Sequence, residues 1–286
     1  MNITKSILSL GIVLSVVGTN AQDLPKPSPK GKVEQLVGLT EISITYNRPS
    51  AKDRKIFGEL VKYDNVWRTG ANERTVFTTS EDIMIEGEPL PVGKYGLLTI
   101  PGEGYFQFIF SKDIEGWGEG DYKPENNALV VKVKTQAISH VETLTFSVDE
   151  INGDDAKISL TWEKTKASFT IKADSETKAW KNIETAIEKD GENWRVYRSA
   201  ASYCVQTGKR TDDGLKWIEK SINLNDTWYS HWVRAELLAA KKDYKGAVKA
   251  GETALSKGEA DAKGKGNTFS YKDMLVNGMG EWKKMK

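Results

Sequence analysis

Apolar and polar residues change places in two different rhythms along this chain. Over Glu41–Tyr46, apolar Ile42, Ile44 and Tyr46 alternate with polar Glu41, Ser43 and Thr45. That period of two belongs to a strand with one buried face, because successive side chains point to opposite sides of a sheet. The same grammar recurs in short pieces: Val76–Thr78, Ile83–Ile85, Tyr95–Ile100, Tyr105–Phe110, Leu129–Val133, Leu144–Val148, Ile158–Trp162 and Ala167–Ile171. Glu86-Gly87-Glu88 and Pro101-Gly102-Glu103-Gly104 supply turn residues between several of them, where glycine tolerates the positive φ that tight turns need. Many short strands with no helical pattern between them predict an antiparallel β-sandwich or barrel-like domain over residues 31–172, after a Pro-rich leader at 22–30.

From Asp174 the rhythm becomes that of a helix. Ala179, Trp180, Ile183, Ala186 and Ile187 share one stripe, and Gly191 is a stop. Trp194, Tyr197, Ala201, Cys204 and Val205 form the next stripe, ending at Gly208. Leu215, Ile218 and Ile222 follow, then Trp228, Trp232, Ala235 and Leu238. Asp243 opens a helix carrying Val248 and Leu255, and a last helix presents Met274, Leu275, Met279 and Trp282. All eight prolines lie at or before Pro124, so nothing in the second half breaks a helix by removing its donor. Trp194 and Trp228 are 34 residues apart, as are Ala201 and Ala235, and Ile222 and Leu255 are 33 apart. A helix–turn–helix unit of about 34 residues is the tetratricopeptide period. Residues 174–286 are therefore expected to form tetratricopeptide-like hairpins. Thr211 and Gly214 stand where that pattern has Tyr and Ala. The fold class expected for the whole chain is α+β multidomain.

The first 21 residues follow neither rhythm. Lys5 precedes an apolar run from Ile7 to Val17, with Thr19 and Ala21 before Gln22. A basic start, a short apolar centre and a small-x-small end read as a secretory signal, and the run is shorter than the roughly 20 residues a spanning helix needs. The expectation is a protein exported to the periplasm or beyond the cell, with no transmembrane segment once the signal is cut. The 41 basic and 40 acidic residues give a net charge of +1, which excludes the concentrated positive field that nucleic acid requires. The balance hides a split: residues 22–172 carry 19 basic and 23 acidic side chains, residues 173–286 carry 21 and 17. One cysteine and two histidines leave no disulfide framework and little material for zinc or copper.

Candidate chemistry concentrates between Tyr46 and Glu73, a stretch without alternation that must contain much loop. Loops on a rigid sheet are where binding residues tend to lie. Arg48, Arg54 and Arg68 offer guanidinium forks to an anion or a sugar hydroxyl. Trp67 offers a flat apolar face, and Asn72 and Glu73 offer orienting hydrogen bonds. The plainer reading is that Trp67 plugs the core while Arg68 pairs with Glu73 to lock a crossover. The acidic loop Glu115–Asp121 reads as a solvated turn with Trp117 tucked beneath it rather than a calcium site. Asp149–Asp155 is no EF-hand, because Gly153 is misplaced and Thr161 stands where a closing Glu belongs. Nucleophile elbow, zincin helix, phosphate loop and dinucleotide fingerprint are all missing. Cys204, on an apolar helix face, reads as inert core. Neither a cofactor nor a metal is expected.

The segment RPSAKDRKIFGELVKYDNVWRTGANE, followed by GKYGLLTIPG, Trp117-Gly118 and the WEKT at Trp162–Thr165, resembles the domain-of-unknown-function family 2911 over about residues 28–171. The resemblance implies an exported bacterial β-rich domain, often followed by tetratricopeptide-like helices. It supplies no reaction and no catalytic residues. Asp53 stands where the family motif has glycine. The expectation is a non-enzymatic envelope module whose β-domain binds a small ligand, glycan or peptide and whose helical tail docks a protein. The alternatives are a carbohydrate-active enzyme using Glu73 with a second carboxylate, and a pure assembly scaffold.

Overall fold

The computed structural model describes residues 24–117, 120 and 122–285. The expected signal at 1–21 lies outside them. The chain divides into two compact units with the boundary between Ala173 and Asp174.

The first unit is one antiparallel sheet of nine strands: β1 (Lys30–Val37), β2 (Thr40–Asn47), β3 (Thr75–Thr79), β4 (Ile83–Ile85), β5 (Glu88–Leu90), β6 (Gly93–Gly102), β7 (Tyr105–Ser111), β8 (Asn127–Asn152) and β9 (Asp155–Lys172). Their order in the sheet is β1-β2-β3-β6-β7-β8-β9-β4-β5. Two long strands replace the four short ones expected after Leu129. Residues 129–134 of β8 pair with β7, and the strand then pairs with β9 from Thr135 to Asn152. No glycine or proline interrupts Thr135–Thr143, so the polar stretch that looked like a connection stays extended. Its register with β9 slips between Ala137 and Val141 and again before Thr145, and such bulges bend a strand and increase its twist.

That bend lets the sheet curl back on itself. Ala51 N donates to Glu142 O at 2.7 Å and Leu144 N to Pro49 O at 3.0 Å. The enclosed core is aromatic. Phe169 meets Phe108 at 4.9 Å and Phe110 at 5.6 Å between ring centroids, and Phe110 meets Phe77 at 5.2 Å. β1 and β5, absent from the alternation pattern, are the two edge strands. Pro89 sits in β5, and an edge is where a strand tolerates a residue that cannot donate.

The second unit contains α1 (Ser175–Lys189), α2 (Trp194–Thr207), α3 (Thr211–Leu224), α4 (Trp228–Ala240), α5 (Tyr244–Gly264) and α6 (Lys272–Lys284). Their N-termini are chemically marked. Asp174, Asn193, Thr227 and Asp243 each accept a backbone N–H of the first turn, satisfying donors that the helix itself cannot. α2 packs on both α3 and α4, and α4 on α5, so α2–α3 and α4–α5 form successive hairpins. Gly214 explains the departure from the repeat pattern. A Cβ there would lie 2.9 Å from Cys204 Cβ and 3.0 Å from a Leu237 methyl, so the close approach of α2 and α4 leaves no room for alanine. Among the described residues no helix is long and apolar enough to cross a membrane.

Candidate functional site

The connection from β2 to β3, residues 48–74, covers one end of the β-unit and carries most of the candidate chemistry. Its fixed point is Trp67. The backbone of Trp67 exchanges two 2.8 Å hydrogen bonds with Thr99 of β6, and its indole Nε1 donates to Gly70 O at 3.1 Å. The ring stacks on Trp162 of β9 with centroids 5.8 Å apart and planes 19° off parallel. Phe57 presents its edge to both indoles. Trp67 is 6% exposed and Trp162 is 2% exposed. Trp67 therefore closes the core, as the plainer sequence reading had it, and also floors what lies above.

Above it is a cavity of about 680 Å³, within the range of roughly 300–1,000 Å³ typical of small-molecule sites. Arg54, Trp67 and Arg68 line it together with Ser28, Lys62, Asn65 and Trp162, beside apolar Pro49, Leu60, Val61 and Val66. Arg54 is held by two carbonyls: its Nε donates to Ala51 O and its Nη2 to Ser50 O, each at 2.8 Å. Trp162 Nε1 is buried without a hydrogen-bond partner. An unpaired buried donor costs about 1–3 kcal/mol, so the indole is left with an unmet demand beside the cavity.

Arg48, Asn72 and Glu73 are not among the lining residues; each ties chain to chain. Arg48 donates from Nε to Leu144 O at 3.1 Å and from Nη2 to Thr145 Oγ1 at 2.8 Å, strapping the end of β2 to the middle of β8. Asn72 donates to Ser28 O at 3.2 Å, pinning the Pro-rich leader. Glu73 accepts from Asn47 Nδ2 at 2.8 Å and from Lys26 at 3.3 Å. Its own backbone amide, then Asn47 and Lys26, hold its carboxyl below the ordinary carboxylate range. A general acid needs the opposite shift, so the environment of Glu73 suits a structural anion.

Two parts of the site were not singled out in the sequence. Lys62 and Asn65 sit in an irregular stretch with no marking pattern. Trp162 is far from Trp67 along the chain, and its one signal was membership of the WEKT motif. At Asp53 the family's glycine is absent yet the turn remains, with Asp53 at φ +57° and Lys52 at φ +51°. Aspartate tolerates that region better than most residues.

Elsewhere, Trp117 is 66% exposed, which corrects the expectation that it packs beneath its loop. The described residues Glu115, Gly116 and Gly120 beside it carry no apolar side chain to cover it. Glu119 and Asp121 lie outside the described residues. Arg74 is 4% exposed and donates from Nη1 to Asp113 O at 2.9 Å. The histidines have partners that the sequence did not reveal: His231 lies 2.6 Å from Asp226 and His140 lies 3.2 Å from Glu142. Burial pushes the Cys204 thiol up, away from the reactive thiolate. Among the described residues no three His, Cys, Asp or Glu side chains group to hold a metal.

Residues 28–171 match the model of a family described as "Protein of unknown function (DUF2911)". No curated protein and no solved structure matches the chain.

Proposed function

For a chain that belongs to the DUF2911 family, a family whose description assigns no activity, we propose a function from the site itself: the β-unit is a non-catalytic module that binds a small polar ligand. The observation that carries this reading is the 680 Å³ cavity floored by the Trp67–Trp162 stack and edged by Arg54 and Arg68. Rigid aromatics at the base and polar groups at the rim are the usual division of labour in a small-molecule site. Binding rather than turnover is favoured because, among the described residues, no carboxylate lines the cavity, whereas glycoside hydrolysis needs two flanking the scissile bond.

The protein acts outside the cytoplasm in this reading, supported by the basic start, short apolar run and small-x-small end of residues 1–21. Expression of the full chain in an export-competent bacterium, followed by N-terminal sequencing, should return Gln22 as the first residue. An intact Met1 in the recovered protein would remove the export reading. The helical unit serves as the protein-docking part, supported by its successive hairpins, the architecture that stacks into extended binding surfaces.

The binding reading is tested by thermal unfolding of the recovered protein against neutral and acidic saccharides, peptides, nucleotides and aromatic acids. A ligand specific for the folded state raises stability as RT ln(1 + [L]/Kd). Arg54→Ala, on an exposed side chain, should abolish the shift while leaving the unliganded transition in place. A shift that survives Arg54→Ala unchanged would place binding elsewhere.

A further inference from the structure

The cavity's charge is more specific than its shape. Among the described residues three cationic side chains line it (Arg54, Lys62 and Arg68) and no carboxylate does. Lys62 has no ion-pair or hydrogen-bond partner among the described residues, although the unit around it carries more acids than bases. Arg54 is oriented but not neutralised. Its Nε and Nη2 are spent on the carbonyls of Ala51 and Ser50, which are uncharged and leave Nη1 available. Glu142 senses Arg54 only at a distance; its hydrogen bonds go to Lys52 N and His140.

A cation fixed by backbone carbonyls and a second one without a counter-ion, at the rim of one cavity, form a positive field awaiting an anion. Trp67 and Trp162 add flat aromatic surface among the lining residues. Ser28 and Asn65 add neutral donors and acceptors on the wall. A simple inorganic ion would leave most of this space and the apolar Pro49, Leu60 and Val66 surfaces unused. A ring with several hydroxyls and one negative group uses all of it.

We infer that the ligand of this cavity is an anionic saccharide, its charged group held between Arg54 and Lys62 and its ring lying against the apolar and aromatic wall. The inference rests on the binding-module reading and specifies its ligand. The negative group is a uronate carboxylate or a sugar phosphate; both meet the same two cations.

The test is titration calorimetry of the whole protein at low salt with four probes: digalacturonate, its neutral counterpart digalactose, glucose 6-phosphate and glucose. The expected result is that an acidic probe binds at least about tenfold more tightly than its neutral partner, with the preference shrinking as salt screens the exposed charges. The digalacturonate and glucose 6-phosphate arms tell carboxylate from phosphate. Arg54→Gln combined with Lys62→Gln, two exposed positions, should lower acidic-probe affinity about tenfold and remove the preference for the acidic over the neutral probe. Equal affinity for acidic and neutral probes would overturn the anionic assignment while the binding module stands. Binding confined to peptides or nucleotides in the wider thermal screen would overturn the saccharide class. No ligand in either experiment would overturn the binding module itself.

Discussion

The two units bury their apolar residues in different ways. The β-unit has one continuous core, running from Val37 to Ala173 and crossed by Phe77, Phe106, Phe108, Phe110, Trp162 and Phe169. The helical unit has two small clusters instead, one around Cys204, Ile218 and Leu237, the other around Trp232, Ala254 and Met279. A sheet that curls on itself brings distant segments together, so a single bulky ring touches many strands. Hairpins stack on their neighbours, so each cluster is local and small residues set the spacing. Damage should therefore be volume loss in the first unit and volume excess in the second.

The largest effect expected is from Phe169→Ala. The ring is 1% exposed and touches Phe77, Phe108 and Phe110, and removing such a side chain costs about 3–5 kcal/mol. Urea unfolding monitored by near-ultraviolet circular dichroism measures it; a cost below about 1 kcal/mol would mean the core is not continuous there.

In the helical unit the informative change adds atoms. Gly214→Ala improves helix propensity by about 1 kcal/mol but drives a methyl to within 2.9 Å of Cys204. Overpacking of this kind costs about 1–3 kcal/mol, so a net destabilisation is expected. Cys204→Ala in the same chain should recover only the part owed to Sγ, 3.1 Å from that methyl, and the double-mutant cycle isolates it. Additive effects would mean that the sulfur adds nothing to the crowding.

A smaller effect is expected at the first helix. Asp174→Ala removes the cap of α1, where the carboxylate accepts from Thr177 N and Thr177 Oγ1, at a cost of about 1 kcal/mol. The Thr177 hydroxyl and amide hold the Asp174 carboxyl below its ordinary value. Its contribution is thus complete above the unfolded value of about 3.9 and disappears as pH falls through the lower folded value. The difference between wild type and variant should be constant from pH 5 to 7 and shrink below about pH 4.

The smallest effect is expected at Asp53, in the connection that forms the cavity. Asp53→Gly should raise stability by about 0.5 kcal/mol, since glycine carries no Cβ penalty at φ +57°. Loss of stability would show that the aspartate side chain contributes something the glycine-bearing motif lacks.

How much of this was legible depends on the range of the interactions. The helices were, with the start at Asp243, because amphipathic period and capping are short-range properties; the caps Asn193 and Thr227 came from the structure. Strands β2, β3, β4, β6 and β7 were legible from alternation and turn glycines, whereas β1 and β5 were not. The merger of the later pieces into β8 and β9 was not, because a polar stretch stays extended only if a partner strand supplies its hydrogen bonds. At the site, Arg54, Trp67 and Arg68 were singled out and share the cavity, whereas Arg48, Asn72 and Glu73 turned out to be spent on Thr145, Ser28, Asn47 and Lys26. A guanidinium or carboxylate advertises what it can bond, not which of several partners the fold brings within reach.

The amino-acid sequence by itself determined the two rhythms, the boundary near residue 173, the helix ends, the near-neutral charge and the family. Those follow from covalent spacing and local chemistry. Only the tertiary structure decided that Trp67 would lie on Trp162, that Trp162 Nε1 would be buried without a partner, and that Arg54 and Lys62 would edge the same cavity. These depend on how β8 bends and where the connection after β2 crosses, and such long-range juxtapositions leave no period in the chain.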